Sequence, residues 1–177
     1  MSSGAGTVEW GVPFSYYGRL SARSKAIYRR SDAIAEIRLA RPDVLRPLVE
    51  GVRQALAAEH RSAVELAASH LARGLTDMLQ ARPVAVQVLA VRPRSDWGEL
   101  HGLYTPDLER PRLQLWMRTA RHKRVVAFRT FLRTLLHEVG HHLDYEHLRL
   151  EDSLHTEGFF KRESSLFKQL VPDVPES

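Results

Sequence analysis

The stretch Leu135-Leu-His-Glu-Val-Gly-His-His-Leu-Asp-Tyr145 contains the pattern H-E-x-x-H, formed by His137, Glu138 and His141. Residues four apart in an α-helix lie on one face, one turn above the other. His137 and His141 can therefore direct two imidazole nitrogens at one metal ion. Glu138 lies beside the pair, where its carboxylate can take a proton from a water that the metal activates. The pattern is typical of zinc hydrolases and predicts bound Zn2+.

Apolar residues surround this pattern at helical spacing, which predicts a buried helix face. They are Val125, Phe128, Leu132, Leu135, Leu136, Val139 and Leu143. Imidazoles within such a face are costly to bury unless they are hydrogen-bonded or bind a metal. We favour a metal-binding helix, and the alternative is a pair of hydrogen-bonded histidines beside a helix salt bridge.

A catalytic zinc site commonly has three protein ligands and a water, so a third ligand is needed. His147 has the spacing of the longer H-E-x-x-H-x-x-G-x-x-H motif, but Asp144 stands where that motif has its glycine. In an unbroken helix His147 points away from the metal face. Asp144 shares the stripe of the first two histidines and is either a ligand or an acceptor that orients one of them. Glu163 and His155 are the other candidates.

Glu163 lies on the inward face of the last predicted helix, four residues after Phe159 and three before Leu166. A carboxylate buried there needs a partner, and a histidine of the metal site is the natural one. Thr156 is a candidate N-cap for this helix, which places His155 just outside its first turn. The residues alone leave open whether His155 or Glu163 completes the site.

Thirteen residues separate His141 from the sequence His155-x-x-x-Phe159. This arrangement resembles the SprT-like (Spartan-type) zinc metallopeptidases and related minimal zincins. In that family the third ligand opens a short helix and an aromatic residue follows four positions later. The resemblance extends over roughly residues 83–170.

The resemblance implies a zincin-like fold with zinc ligands His137, His141 and His155. It also implies Glu138 as the general base of peptide-bond hydrolysis, with a protein or peptide as the substrate. Many members of the family carry a cysteine-based zinc ribbon, and this chain has no cysteine. The resemblance therefore gives little support for the DNA-linked role of those members.

The composition is that of an ordinary globular protein, with 177 residues, a net charge of +5 and no cysteine. No apolar run approaches the ~20 residues of a membrane span, and no secretory signal pattern opens the chain. We therefore expect a cytoplasmic protein without membrane contact. Two basic clusters could attract nucleic acid, or could be solvated faces paired with nearby acids. They comprise Arg19, Arg23, Lys25, Arg29 and Arg30, and then Arg118, Arg121, His122, Lys123 and Arg124.

The predicted fold class is α+β, with a small mixed sheet, the H-E-x-x-H helix and a helical N-terminal half. Residues 1–20 are expected to form a flexible arm that either lies over the cleft or patches the core. Residues 21–177 form a single domain, with a helical part over about 21–81 and a sheet and metal-site part over about 82–171.

Within this domain the patterns predict individual helices and strands. We expect a helix over 21–39, one or two helices over 43–80 meeting near His60, strands over 83–91, 99–104 and 112–118, and a last helix that Pro172 ends. The first strand is rich in valine and is predicted to be buried on both faces. The resemblance favours His101 to Tyr104 as the edge strand of the cleft, where an extended peptide can pair with the main chain.

Hydrolysis of a peptide bond by a zinc-activated water is the function that these features predict. Four side chains could stabilise the oxyanion: His101, Tyr104, His122 and Tyr145. One alternative is a DNA-associated regulatory protein with little or no peptidase activity. Another is a structural metal site closed by four ligands that include Asp144 or Glu163.

Overall fold

The computed structural model describes residues 13–95, 98–99 and 101–172, with the backbone alone at 94, 95, 98 and 99. The described chain has an α+β fold, as predicted, with five α-helices, a three-stranded sheet and a two-stranded ribbon. The helices are α1 Ala22–Asp32, α2 Pro42–Ala57, α3 Arg61–Met78, α4 Phe128–Glu146 and α5 Glu157–Leu170, and a 3-10 helix, Ser15–Arg19, precedes them. The strands are β1 Ala85–Val91, β2 Arg94–Ser95, β3 Gly98–Glu99, β4 Gly102–Thr105 and β5 Arg112–Arg118.

The first helix is shorter than predicted. α1 ends at Asp32, whereas the sequence predicts a helix to residue 39. The backbone beyond it bonds to side chains of α5. Arg162 donates to the Ile34 carbonyl at 2.6 Å, and the Gln169 amide donates to the Ile37 carbonyl at 2.9 Å. Tertiary hydrogen bonds thus replace the helical bonds that the composition of this segment allows.

The helical region predicted over residues 43–80 consists of two helices, α2 and α3, which meet near His60. The sequence allows either one helix or two. Glu59 has a φ of 54°, in the left-handed region, so the helix cannot continue through it. The Nδ1 atom of His60 accepts the Ala63 N–H at 3.4 Å and caps α3. None of the described helices is long and apolar enough to cross a membrane.

β5 lies at the centre of the sheet, between β1 and β4. β1 pairs with it in parallel, and β4 pairs with it antiparallel so that Tyr104 stands opposite Leu113. β4 is therefore an edge strand among the described strands, which confirms that the segment from His101 to Tyr104 lies at a sheet edge. The strand predicted over residues 112–118 is β5, and its residues Leu113, Leu115 and Met117 are all buried.

The prediction that the first strand is buried on both faces is wrong. β1 forms the other edge of the sheet, and Ala85, Gln87 and Ala90 are exposed. Gln87 accepts a hydrogen bond from Gln114 of β5 at 2.9 Å on the exposed surface. Valine content alone does not reveal how many layers will cover a strand.

The predicted strand over residues 99–104 is divided in the structure. Glu99 belongs to β3, which pairs antiparallel with β2 in a small separate ribbon. Within this stretch, the strand that belongs to the main sheet, β4, begins only at Gly102.

The core fills the space between the sheet and the helices, and α4 runs through it. Buried residues on α4 include Phe131, Leu132, Leu135, Leu136, Val139 and Leu143. Each such side chain contributes about 1.5–3 kcal/mol relative to exposure. This apolar face anchors α4 and leaves the stripe with His137 and His141 at the cleft.

The predicted arm is described only in part, because residues 1–12 lie outside the described chain. The remainder packs on α1 and α5. The buried ring of Tyr28 contacts Tyr16 and Tyr17, with centroid distances of 5.9 and 5.0 Å. The ring of Phe14 meets the edge of Phe160 at 6.1 Å. This segment therefore borders the part of α5 that faces the cleft.

Candidate metal centre

Three histidines converge between α4 and the start of α5. His137 and His141 stand one turn apart on α4, and His155 precedes α5. The Nε2 atom of His155 lies 3.0 Å from Nε2 of His137 and 3.1 Å from Nε2 of His141. Ligand atoms of all three lie within 4.8 Å of one another. The structure thus brings together the three residues that the resemblance implies as ligands.

The opposite nitrogens of the two α4 histidines already have partners. The Nδ1 atom of His137 donates to Glu163 Oε2 at 3.0 Å, since a carboxylate can only accept. The Ser153 hydroxyl donates to Asp144 Oδ2 at 2.7 Å. Its oxygen must therefore accept from Nδ1 of His141, which lies 2.7 Å away. Both α4 imidazoles consequently present an unprotonated Nε2 to the centre of the site when they are neutral.

These contacts test whether the residues fit a metal ion. Only His155 can carry a proton among the three Nε2 atoms, and one proton cannot serve both of its close contacts. At least one contact therefore sets two lone pairs against each other, and a cation between the nitrogens removes that conflict. Ligands of a tetrahedral zinc at about 2.0–2.1 Å stand roughly 3.3 Å apart. The two separations from His155, 3.0 and 3.1 Å, are close to this value. The donor set fits a zinc ion.

The electrostatic setting favours the neutral, metal-binding form of His141 and His155. Burial, followed by the neighbouring imidazoles of His137 and His155, lowers the pKa of His141 to about 3. Burial also lowers the pKa of His155, and His137 acts in the same direction. Neutral imidazoles are the ligands that metals require.

Asp144 and Glu163 stand behind the histidines and outside the group of converging nitrogens. Glu163 contacts His137 on the far side of its ring, as expected for a carboxylate partnered by a histidine. Asp144 reaches His141 only through Ser153. The positions of both residues match the predicted role of acceptors that orient histidines.

Asp144 is fully buried and forms an ion pair with Arg162, whose guanidinium lies 3.0 Å from Oδ1. Burial raises the pKa of the Asp144 carboxyl, whereas Arg162 and the Ser153 hydroxyl lower it. The Arg162 guanidinium also donates to the Ser31 carbonyl at 2.6 Å. A continuous chain of polar contacts thus joins His141 to the end of α1.

Glu138 lies between α4 and the edge strand β4. It is 6 % exposed, and burial raises its pKa to about 7, while His137 and the Tyr104 backbone N–H, which donates to the carboxylate, act in the opposite direction. Gly102 permits this close approach, because a Cβ atom there would stand 2.5 Å from Glu138 Oε1. The carboxylate therefore touches both the metal-site helix and the strand that borders the cleft.

The histidines open into a cleft of about 670 Å³. Residues on its walls include His101, Leu103, Tyr104, Pro106, Arg133, Thr134, Glu138, Tyr145, Phe160 and Glu163. One long wall is the β4 edge strand. The cleft is therefore open to an extended chain that lies along β4.

The predicted oxyanion donors are distributed unevenly. His101, Tyr104 and Tyr145 line the cleft, whereas His122 is not among the lining residues. The Tyr145 hydroxyl already donates to Asp152 at 3.1 Å. The Tyr104 hydroxyl lies 3.2 Å from Nδ1 of a buried histidine. Neither tyrosine hydroxyl is free in this arrangement.

That histidine, His142, is one of the residues that the sequence analysis missed. It is fully buried, and its Nε2 donates to the Arg82 carbonyl at 2.6 Å, so its Nδ1 accepts from Tyr104. It locks β4 to α4. Ser153 and Arg162 were missed as well. The argument that turns Glu163 inward also applies to its neighbour Arg162, but no motif marks Ser153.

The structure also locates His147 and Phe159, which the sequence analysis considered at the edges of the site. His147 lies at the end of α4, and its Nδ1 is 3.1 Å from the Leu79 carbonyl, away from the other histidines. Phe159 is buried, and its ring centroid lies 5.0 Å from that of His137 and 4.7 Å from that of His141. The aromatic residue that follows His155 thus packs against the metal-site imidazoles.

Each basic cluster contains one ion pair with a described acid. In the first, Arg30 pairs with Glu151 at 2.9 Å, and Lys25 stacks on the Tyr17 ring. In the second, Arg118 pairs with Glu59 at 2.9 Å. The turn that follows carries Arg121, His122, Lys123 and Arg124, which are all exposed and form no ion pair with any described residue. We call residues 121–124 the basic turn.

Comparison of the chain with protein-family models, with curated proteins and with solved structures gave no match.

Proposed function

We propose that the chain is a zinc-dependent metallopeptidase with a zincin-like fold, related to the SprT-like enzymes. His137, His141 and His155 hold Zn2+, and Glu138 is the general base. The observation that carries the proposal is the convergence of three Nε2 atoms, two of them left unprotonated by hydrogen bonds at Nδ1. When bound, zinc acts as a Lewis acid that makes water nucleophilic near neutral pH and polarises the substrate carbonyl.

Glu138 moves the proton in this mechanism. Its carboxylate accepts a proton from the attacking water and delivers it to the departing amide nitrogen. Burial raises its pKa to about 7 in the metal-free protein. A nearby cation favours the ionised carboxylate, which is the form that a general base needs. The Tyr104 N–H holds the carboxylate beside β4, so proton transfer occurs next to the strand that binds the substrate.

The edge strand β4 positions the substrate. It pairs with β5 on one side only, and the residues around it line the cleft. An extended peptide can add to this edge through main-chain hydrogen bonds. A peptide bound along β4 would then place its scissile bond over the three histidines.

The arrangement favours a catalytic site over a closed structural one. A structural zinc site needs four protein ligands, whereas three ligands leave a position for water or substrate. The two candidates for a fourth ligand, Asp144 and Glu163, are engaged by Ser153 and His137 on the far sides of the rings. The coordination centre faces the cleft, where a substrate can reach it.

A DNA-associated role is the second candidate, and the basic turn favours it. Three cations of this turn, Arg121, Lys123 and Arg124, have no acidic partner among the described residues, so their charge is available to phosphates. DNA affinity that falls steeply with salt, together with no cleavage of casein or of the chain itself, would support this role in place of the peptidase.

The peptidase proposal is tested by Glu138→Gln. The variant should retain about one zinc per chain by elemental analysis, because the three histidines are intact. Its cleavage of casein should fall by about 10²–10⁴-fold, because the amide cannot accept the proton. Retained cleavage would refute the assigned base.

His155→Ala is the companion variant and His147→Ala its control. Loss of His155 should greatly reduce the zinc content, since only two ligands remain. Loss of His147, whose ring bonds to the Leu79 carbonyl, should leave the zinc content unchanged. A wild-type chain that cannot be loaded with zinc would contradict the metal assignment itself.

A further inference from the structure

One end of the cleft carries a cation. Among the described residues that line the cleft, Arg133 is the single arginine or lysine, and the acidic residues are Glu138 and Glu163. Tyr104 and Tyr145 are uncharged and line the cleft on the side of His141. Arg133 is thus the one lysine or arginine that a substrate would meet among the described residues of the cleft.

Arg133 stands one helical turn before His137 and is held by an aromatic ring. Its guanidinium lies 4.0 Å from the centroid of Phe167, and its side chain is 47 % exposed. Stacking on a ring fixes the plane of a guanidinium and leaves its N–H edges free to donate. No described residue accepts a hydrogen bond from this group.

The nearest acid does not satisfy these donors. Glu163 Oε1 lies 4.0 Å from Arg133, beyond hydrogen-bond distance. The other carboxylate oxygen is bonded to His137 at 3.0 Å, and the Glu163 side chain is 14 % exposed. Glu163 is therefore hydrogen-bonded to His137 and forms only a long ion pair with Arg133, at 4.0 Å. The N–H donors of Arg133 remain available for a bidentate carboxylate.

We propose that Arg133 is a specificity residue that binds a carboxylate of the substrate. The inference rests on the proposed peptidase function. Residues four apart on a helix have Cβ atoms about 5–6 Å apart, and an extended peptide advances about 3.3 Å per residue. The carboxylate therefore belongs to one of the two residues closest to the scissile bond on the Arg133 side. Its source is an aspartate or glutamate side chain, or the C-terminal carboxylate of a short peptide.

Binding of peptide hydroxamates tests the inference without requiring turnover. The probes carry Glu or Gln at each of the two positions nearest the hydroxamate, and a third pair ends in a free carboxylate or its amide. Zinc-loaded wild-type protein should bind one acidic probe about 10- to 100-fold more tightly than its neutral partner in calorimetry. Which pair shows the difference identifies the source of the carboxylate.

Matched variants separate recognition from support of the metal site. Arg133→Gln should abolish the preference and leave zinc content unchanged, and Arg133→Lys should restore part of it. Arg129→Gln is the control, because Arg129 also stacks on Phe167, at 5.1 Å, but is not among the residues that line the cleft. It should keep the full preference.

Each failure has a distinct meaning. Equal binding of acidic and neutral probes by the wild type would overturn the role of Arg133 and leave the peptidase proposal standing. Equal weakening of both probes and of zinc in Arg133→Gln would assign this residue to support of Glu163 instead. Failure of every hydroxamate to bind the zinc-loaded protein would refute the proposed peptidase, and the inference with it.

Discussion

The two histidines on α4 and the third histidine before α5 are positioned by different physical means. The relative placement of His137 and His141 follows from the helical repeat, since four residues make about one turn. His155 lies outside any helix, and its segment is held by contacts from the N-terminal part of the chain. The Tyr16 hydroxyl donates to its carbonyl, and Asp32 accepts the Gly158 N–H at 2.9 Å.

The helical N-terminal half therefore contributes to the proposed metal site. The end of α1 docks on the segment that carries His155 and on the start of α5. Ser31 bonds to Thr156 at 3.3 Å, and Arg162 joins the same end of α1 to Asp144. Changes far from the histidines in sequence should therefore alter the third ligand while the α4 pair stays in place.

The largest effect is expected from Arg162→Met. Its side chain is 3 % exposed and pairs with the buried Asp144, so the substitution leaves a carboxylate without compensation in the core. Removal of one partner of a buried pair costs about 3–5 kcal/mol. Urea unfolding of the metal-free protein measures this loss.

The control for this change is Arg30→Met, which breaks an ion pair with Glu151 whose side chains are 52 % and 49 % exposed. Solvent-exposed pairs contribute about 0–1 kcal/mol. Similar losses of unfolding free energy in the two variants would show that the buried link between α1, α4 and α5 contributes no more stability than an exposed ion pair.

Gly158→Ala should perturb the docking of α1 on α5. A Cβ atom at this position would stand 2.5 Å from the Asp32 carbonyl oxygen, and backbone on both sides must move to accept it. Overpacking of this kind costs about 1–3 kcal/mol, and zinc affinity should fall with it because His155 is three residues away. Chelator competition and urea unfolding measure the two effects.

Gly51→Ala is the matched control in α2. A Cβ atom at Gly51 meets nothing within 4 Å, so the change should stabilise the helix by about 0.5–1 kcal/mol and leave zinc affinity unaltered. An equal loss of zinc affinity in both variants would contradict a specific role for the contact at Gly158.

Ser153→Ala should act on the α4 pair through a local contact. The hydroxyl links Nδ1 of His141 to Asp144. Its removal leaves Nδ1 of His141 without this partner, whereas Asp144 keeps its ion pair with Arg162. Loss of a group that orients a metal ligand typically weakens metal affinity by about 10- to 100-fold. Unchanged zinc affinity, measured against a chelator, would show that the His141 ring needs no such support.

Tyr16→Phe is expected to have the smallest effect. It removes one hydroxyl, which donates to the His155 carbonyl, and leaves the ring on Tyr28. One hydrogen bond contributes about 0.5–1.5 kcal/mol, so zinc affinity should fall by roughly 2- to 10-fold. Tyr17→Phe is the control, because its ring also packs on Tyr28, at 5.0 Å, without a contact to His155. Equal zinc affinities in the two variants would show that the N-terminal segment does not support the site.

Prediction from the sequence succeeded where short-range geometry determines the result. The helix from residue 128 to 146, its apolar face and the paired histidines follow from periodicity within one element. The same holds for the break between helices near His60. It failed for the end of α1 and for the faces of β1, because contacts with α5 and the position of β1 at a sheet edge are long-range properties.

The candidate site divides in the same way. The sequence by itself determined that His137, Glu138 and His141 share a helix, because the helical repeat places them there. It also limited the third ligand to a few residues. Only the tertiary structure decided that the Nε2 atom of His155 meets theirs and that Glu163 and Asp144 stand behind the rings. Those positions depend on how α1, α5 and the N-terminal segment pack together, and no local pattern encodes contacts between residues more than a hundred positions apart.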